Sequence, residues 1–126
     1  MSLILDAGGM LLLEDHDREA VAAVKAEYLA GRPPRSHGGI VGQVWRTGTG
    51  RQSNLARLMK AVHIEALDEL LGRRAGALLG AAGSSDVLDA ALVLLGEDGD
   101  EIWTSDPDDL GPLAEAAGTH LDIVPV

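Results

Sequence analysis

Short apolar runs broken by glycine and proline alternate with longer stretches of helical period along the whole chain. Residues 2–5 form a run of buried-strand type that stops at Asp6-Ala7-Gly8-Gly9, which reads as a glycine turn. Residues 10–13 predict a short helical piece, and Asp17 is placed to cap a helix over residues 18–30. That helix puts Val21, Val24 and Tyr28 on one face, with Gly31 past its end. Pro33-Pro34 imposes an extended connection into a short candidate strand, 35–37. Residues 39–46 read as helix, 47–50 as loop, and 52–60 as a further helix with Leu55, Leu58 and Met59 at helical spacing. Residues 62–66 predict a third strand, and Asp68 a cap for a helix that buries Leu71, Ala75, Leu78 and Leu79. Gly83-Ser84-Ser85 opens the next helix, 85–95, with either serine as its cap and Leu88, Ala91, Leu92 and Leu95 as its core face. Residues 101–104 and 119–124 are the fourth and fifth strands.

Strands that alternate with helices predict a parallel α/β sheet of about five short strands flanked by helices, in one domain spanning residues 1–126. In such sheets ligands sit beyond the carboxyl ends of the strands, near the point where strand order reverses. Asp6 and Asp106 each follow a strand, so both belong to that edge.

Composition narrows the chemistry. The chain has no Cys, which excludes disulfides and cysteine zinc sites. It has no Phe, and its aromatics are Trp45, Trp103 and Tyr28, too few for base-stacking recognition of RNA. No stretch reaches the roughly 18 apolar residues of a membrane span, and the first residues carry no positive leader, so a cytoplasmic protein is expected. The net charge of −10 argues against a general nucleic-acid binder. The charge is uneven, however. Residues 32–74 hold eight basic residues against three acids, a local +5 that leaves −15 elsewhere. Either this middle section draws RNA toward an acidic centre, or its charges are a solvated helix surface.

Four aspartates stand out by position: Asp6, Asp86, Asp89 and Asp106. Asp86 and Asp89 are three apart at the start of one helix and share a face. Carboxylates brought together repel, and protonate unless a cation neutralises them. Hard divalent ions with oxygen ligands do this best, so the expected cofactor is Mg2+ or Mn2+. Singly, each acid has a structural role open to it. Asp86 and Asp89 favour a helix dipole, and Asp106 before Pro107 makes a turn. Asp6 is hardest to dismiss, because an acid directly after a buried strand is costly unless used.

Leu3-Ile4-Leu5-Asp6-Ala7-Gly8 resembles the opening of PIN domains, an apolar strand followed by the first metal-binding aspartate. Ser85-Asp86-Val87-Leu88-Asp89-Ala90-Ala91-Leu92-Val93 resembles their third motif, with Asp89 as its acid, and Thr104-Ser105-Asp106-Pro107-Asp108-Asp109-Leu110 the fourth, with Asp106 as its acid. Order and spacing agree over nearly the whole chain, and its short length is similar to that of VapC toxins of type II toxin–antitoxin pairs. The resemblance implies a three-layer PIN-like fold and a divalent-metal-dependent endoribonuclease. It also implies an RNA substrate, a cognate antitoxin and a homodimer. Asp6, Asp89 and Asp106 would be catalytic, and Asp86 a further metal ligand. One position departs. The second PIN acid is usually a glutamate in the helix after strand two, and the matching run Gly42-Gln43-Val44-Trp45-Arg46 offers the neutral Gln43. Gln43 would hold water or lend a carbonyl oxygen without charge. A non-catalytic PIN-fold protein that binds RNA or an antitoxin is therefore the second reading. Arg46 and Arg51, flanking the loop, are candidates to hold RNA phosphates. His37-Gly38-Gly39 either lines the site or is a simple turn. A phosphoacceptor domain of response-regulator type is a third reading, opposed by the single acid after strand one.

Overall fold

The computed structural model describes residues 1–47, 50 and 52–126. Strands β1 (Leu3–Leu5), β2 (Arg35–His37), β3 (His63–Glu65), β4 (Glu101–Thr104) and β5 (Asp122–Pro125) form one sheet in the order β3-β2-β1-β4-β5. Every neighbouring pair is parallel. The register sets Ile4 beside Ile102, and Ile102 beside Ile123. This order differs from the 2-1-3-4-5 order of response regulators, which removes the phosphoacceptor reading.

Seven helices are found among the described residues: α1 (Ala7–Glu14), α2 (Arg18–Leu29), α3 (Gly38–Val44), α4 (Gln52–Met59), α5 (Glu69–Ala82), α6 (Val87–Leu94) and α7 (Pro107–Ala117). One group gathers α2, α3 and α4 around α1, and α5, α6 and α7 pack together as another. Ile4, Leu5, Met10, Leu13, Ile40, Leu55, Leu92, Ile102, Leu110 and Leu113 are fully buried among these elements. Each such side chain contributes roughly 1.5–3 kcal/mol, so short strands of three or four residues suffice with the central strands β1, β2 and β4 covered. None of the helices among the described residues is by itself long and apolar enough to cross a membrane.

Several local expectations hold and others do not. Asp17 caps α2 by accepting from the Ala20 N–H at 2.9 Å, and Asp68 caps α5 by accepting from the Leu71 N–H at 3.0 Å. Tyr28 is exposed rather than on the core face, because the buried stripe of α2 is Ala20, Val21 and Val24. Gly8 and Gly9 do not make a turn; they lie in the first turn of α1. A Cβ on Gly8 would meet the Ser105 nitrogen at 2.9 Å, so glycine lets α1 start hard against the end of β4. Neither serine caps α6; Asp86 does. The last strand begins at Asp122 rather than at residue 119, and residues 119–121 connect it to the left-handed Gly118 cap of α7. Helix α7 is not expected from the sequence pattern. Pro107 at its first position sacrifices no hydrogen bond, and Asp108 and Asp109 favour its amino end.

Candidate active site

From β1 the chain moves outward through β2 to β3, then returns to the other side of β1 for β4 and β5. Strand order therefore reverses between β1 and β4, and the crevice at their carboxyl ends is where a ligand belongs. Leu5 is paired with Trp103, so the next residues, Asp6 and Thr104, face each other across that crevice. The Asp6 N–H donates to the Trp103 carbonyl at 3.0 Å, which extends the ladder by one bond. The Asp6 carboxylate is buried. Its Oδ1 accepts from the Ala7 N–H at 2.8 Å, capping α1, and its Oδ2 accepts from the Thr104 hydroxyl at 2.6 Å. The same hydroxyl oxygen accepts from the Asp106 N–H at 2.9 Å. Fully buried Thr104 thus ties Asp6 to the loop that carries Asp106. The sequence reading gave Thr104 no role, since a strand-end threonine does not reveal where its hydroxyl points.

Two helices bring further acids to this crevice. Asp86 caps α6, its Oδ1 accepting from the N–H groups of Leu88 at 3.0 Å and Asp89 at 3.1 Å. Asp89 is half-buried. Its carboxyl is raised from 3.8 to about 7, first by burial and then by repulsion from Asp86, Asp6, Asp109 and Asp106. The other three sequence-predicted aspartates, Asp6, Asp86 and Asp106, therefore all act on Asp89. Asp109, from the first turn of α7, joins them; it was missed because that helix was missed. Asp106 is the N-cap residue of α7 but makes no side-chain capping bond, so its carboxylate is not spent on the helix. A cleft of about 410 Å³ adjoins the cluster, lined in part by Ser84, Ser85, Asp86, Asp89, Asp108 and Asp109.

Carboxylate oxygens are the donor type that suits a hard divalent cation, and the raised Asp89 carboxyl reflects burial together with the negative charge gathered around it. Among the described residues, no group of three or more His, Asp or Glu side chains is placed so that it could hold a metal ion.

Gln43 is exposed on α3, one turn beyond Gly39, and makes no hydrogen bond to the aspartates. Gly39 is where α3 meets α6, since a Cβ there would overlap the Leu88 side chain at 2.5 Å. His37 is not part of a simple turn; it is fully buried and caps α3. Arg46 is exposed, and its Nη1 donates to the carbonyls of Trp45 at 2.6 Å and Gly42 at 3.2 Å, closing the end of α3. Its main-chain N–H donates to Oε1 of buried Gln52 at 2.7 Å. Gln52 also donates to Glu14 at 3.0 Å, an anchoring role that sequence alone gave no sign of. Arg51 lies outside the described residues, as do Gly48 and Thr49 of the expected loop.

The five-stranded parallel sheet of this order, flanked by helices, agrees with the PIN-like fold expected from the sequence. No protein-family model matches the chain, and no curated protein does either. Its structure is similar to the crystal structure of VapBC2 from Rickettsia felis bound to a DNA fragment from their promoter. The match has a TM-score of 0.68 and covers 98% of this chain and 99% of that one, at 9% identity. At that identity the likeness is one of fold, and the fold is VapC-like.

Proposed function

We propose that the acidic crevice between β1 and β4 binds Mg2+ or Mn2+, and that the protein is a metal-dependent endoribonuclease, the toxin of a type II toxin–antitoxin pair. The observation that carries this reading is Asp89: a half-buried carboxyl raised to about 7 first by burial and then by repulsion from four other aspartates, which come from three separate parts of the chain. Repulsion of that kind costs stability and has no structural return, which is the mark of a site kept for function. When bound, the cation would neutralise the cluster and act as a Lewis acid toward an RNA phosphodiester. Asp6, Asp89 and Asp106 would hold it, with Asp86 and Asp109 adding negative charge. Asp6 is already oriented by Ala7 and Thr104, so it is the ligand that loses least freedom on binding. Arg46, at the rim, would steady RNA phosphates; Arg51 is proposed for the same role from its place in the sequence. An antitoxin and a second copy of the chain are the proposed protein partners. The VapBC2 similarity supports the first of these.

Gln43 favours a second reading, a PIN-fold protein that binds RNA or an antitoxin without cutting. It is neutral where the resemblance leads one to expect a glutamate, and it is not tied to the cluster. One assay separates the two. Purified protein is incubated with cellular RNA and either Mg2+ or Mn2+, beside Asp6→Asn. Cleavage that requires metal and is lost in Asp6→Asn establishes the nuclease. Binding of RNA without cleavage by either protein leaves the second reading.

A further inference from the structure

We infer that His37 is a positioning residue that fixes the first turn of α6, and with it the place of Asp89 relative to Asp6. His37 ends β2. Because Ile4 lies opposite Arg35 in the β1–β2 ladder, two further steps along both strands bring His37 level with Asp6. The ring is fully buried. Its Nδ1 accepts from the Gly39 N–H at 3.1 Å, which caps α3. Its Nε2 lies 2.9 Å from the carbonyl oxygen of Leu88 on α6. An N–H can only donate and a carbonyl oxygen can only accept, so the two bonds together define the tautomer. Nδ1 is bare, and Nε2 carries the proton and donates to Leu88.

That bond lands on the residue directly before Asp89. The Leu88 side chain is held at the same corner, where the absence of a Cβ on Gly39 lets it pack against α3. The amides of Leu88 and Asp89 are in turn held by Asp86. One imidazole therefore couples the sheet edge that carries Asp6 to the helix turn that carries Asp86 and Asp89. A capping role for α3 needs only Nδ1. The Nε2 bond does nothing for α3, and its one effect is to anchor α6.

The metal side of this inference rests on the reading of the crevice as a cation site; the anchoring of α6 does not. Two substitutions divide the ring. In His37→Asn the amide oxygen takes the place of Nδ1 and keeps the cap, while the bond to Leu88 is lost. In His37→Gln the amide nitrogen reaches the place of Nε2 and restores it. In His37→Asn, calorimetric titration with Mn2+ should show affinity weakened about 10-fold, the usual scale for groups that orient a metal ligand. His37→Gln should return to within about 3-fold of the wild type. Hydrogen exchange without metal should show the amides of Leu88, Asp89 and Ala90 exchanging faster in His37→Asn, with those of α3 and the sheet unchanged. If both variants leave manganese affinity and α6 exchange at wild-type values, His37 is only a cap and the inference is wrong. If wild type binds no manganese, the cation reading falls instead. The exchange data then decide alone: selective loosening of α6 upholds the anchor, and its absence overturns it.

Discussion

Two aspartates, equally buried, sit at opposite ends of the sheet and are treated differently. Asp100, at the amino end, precedes β4. Its Oδ1 accepts from the Ser2 N–H at 2.8 Å, and its Oδ2 accepts from the Glu97 N–H at 2.9 Å and from Arg35 at 3.0 Å. A cation and two amides compensate the charge completely. Asp6, at the carboxyl end, has only neutral donors, Ala7 and Thr104, and the charge it acts on is that of another acid, Asp89. Burial and hydrogen bonding do not separate a structural carboxylate from a functional one, since both residues have both. The sign of the surrounding charge does.

The largest expected effect belongs to the structural end. Asp100→Ala leaves a partly buried Arg35 and two amides unpartnered, and should lower unfolding free energy by about 3 kcal/mol. Urea denaturation measures this, and manganese affinity of the folded fraction should be unchanged. A loss under about 1 kcal/mol would mean water replaces the carboxylate and the contrast between the two ends is false. At the functional end the sign reverses. Because the folded-state value of Asp89 is raised to about 7 from 3.8, its contribution to stability is complete below the lower value and is lost as pH climbs through the upper one. Metal-free protein should therefore weaken between about pH 4 and 7 on account of this group. Asp89→Asn should remove that slope and raise stability at pH 8 by about 1–2 kcal/mol, the shift being discounted because the group is half exposed to screening solvent. The same substitution should abolish manganese binding. Equal stability of the two proteins at pH 8 would show that the acids do not repel as described.

The contrast also explains what the sequence made visible. Alternating apolar runs and helical periods placed β4 to the residue and put Asp6 and Asp106 on the correct edge, because strand ends are marked by where hydrophobicity stops. The cap of α2 was legible because Asp17 stands directly before an apolar period. Helix α7 was not, since Gly111 and Pro112 interrupt its period, although Leu110, Leu113 and Ala114 are buried at helical spacing. The Pro-Asp-Asp start and Gly118 were the available signals. Losing α7 meant losing Asp109. Thr104, His37 and Gln52 were illegible for another reason: each makes a hydrogen bond to a residue far away in sequence, at 98, 51 and 38 positions respectively, and no local pattern encodes such a partner.

Thr104 offers a middle-sized test. Thr104→Val keeps shape and removes the hydroxyl, so Asp6 loses one donor and the Asp106 N–H loses its acceptor. Stability should fall by about 2 kcal/mol, the scale for losing a hydrogen bond to a buried carboxylate and leaving its partners unmatched. Manganese affinity should fall with it, because both ligand-bearing segments are loosened. A stability loss with unchanged affinity would separate the Thr104 bridge from the site.

The smallest change is expected at Gln43, and it bears most directly on whether the functional end is complete. Gln43 stands on the α3 rim, one turn beyond the Gly39 contact with α6, and adds no charge to a crevice already carrying five aspartates. Glutamate has nearly the same size, so Gln43→Glu changes charge and little else. If the side chain turns toward the crevice, the added carboxylate attracts a cation and repels Asp89. Manganese affinity should then rise about 3-fold, a modest gain because an exposed rim position is screened by water. The metal-free protein should lose a few tenths of a kcal/mol by the same screened repulsion. Cleavage at limiting metal should rise in step with occupancy. An inactive wild type that gains cleavage through Gln43→Glu would identify a nuclease that has lost a ligand. An active wild type in which Gln43→Glu changes neither affinity nor rate would place this side chain outside the site, with the cation held by the aspartates alone.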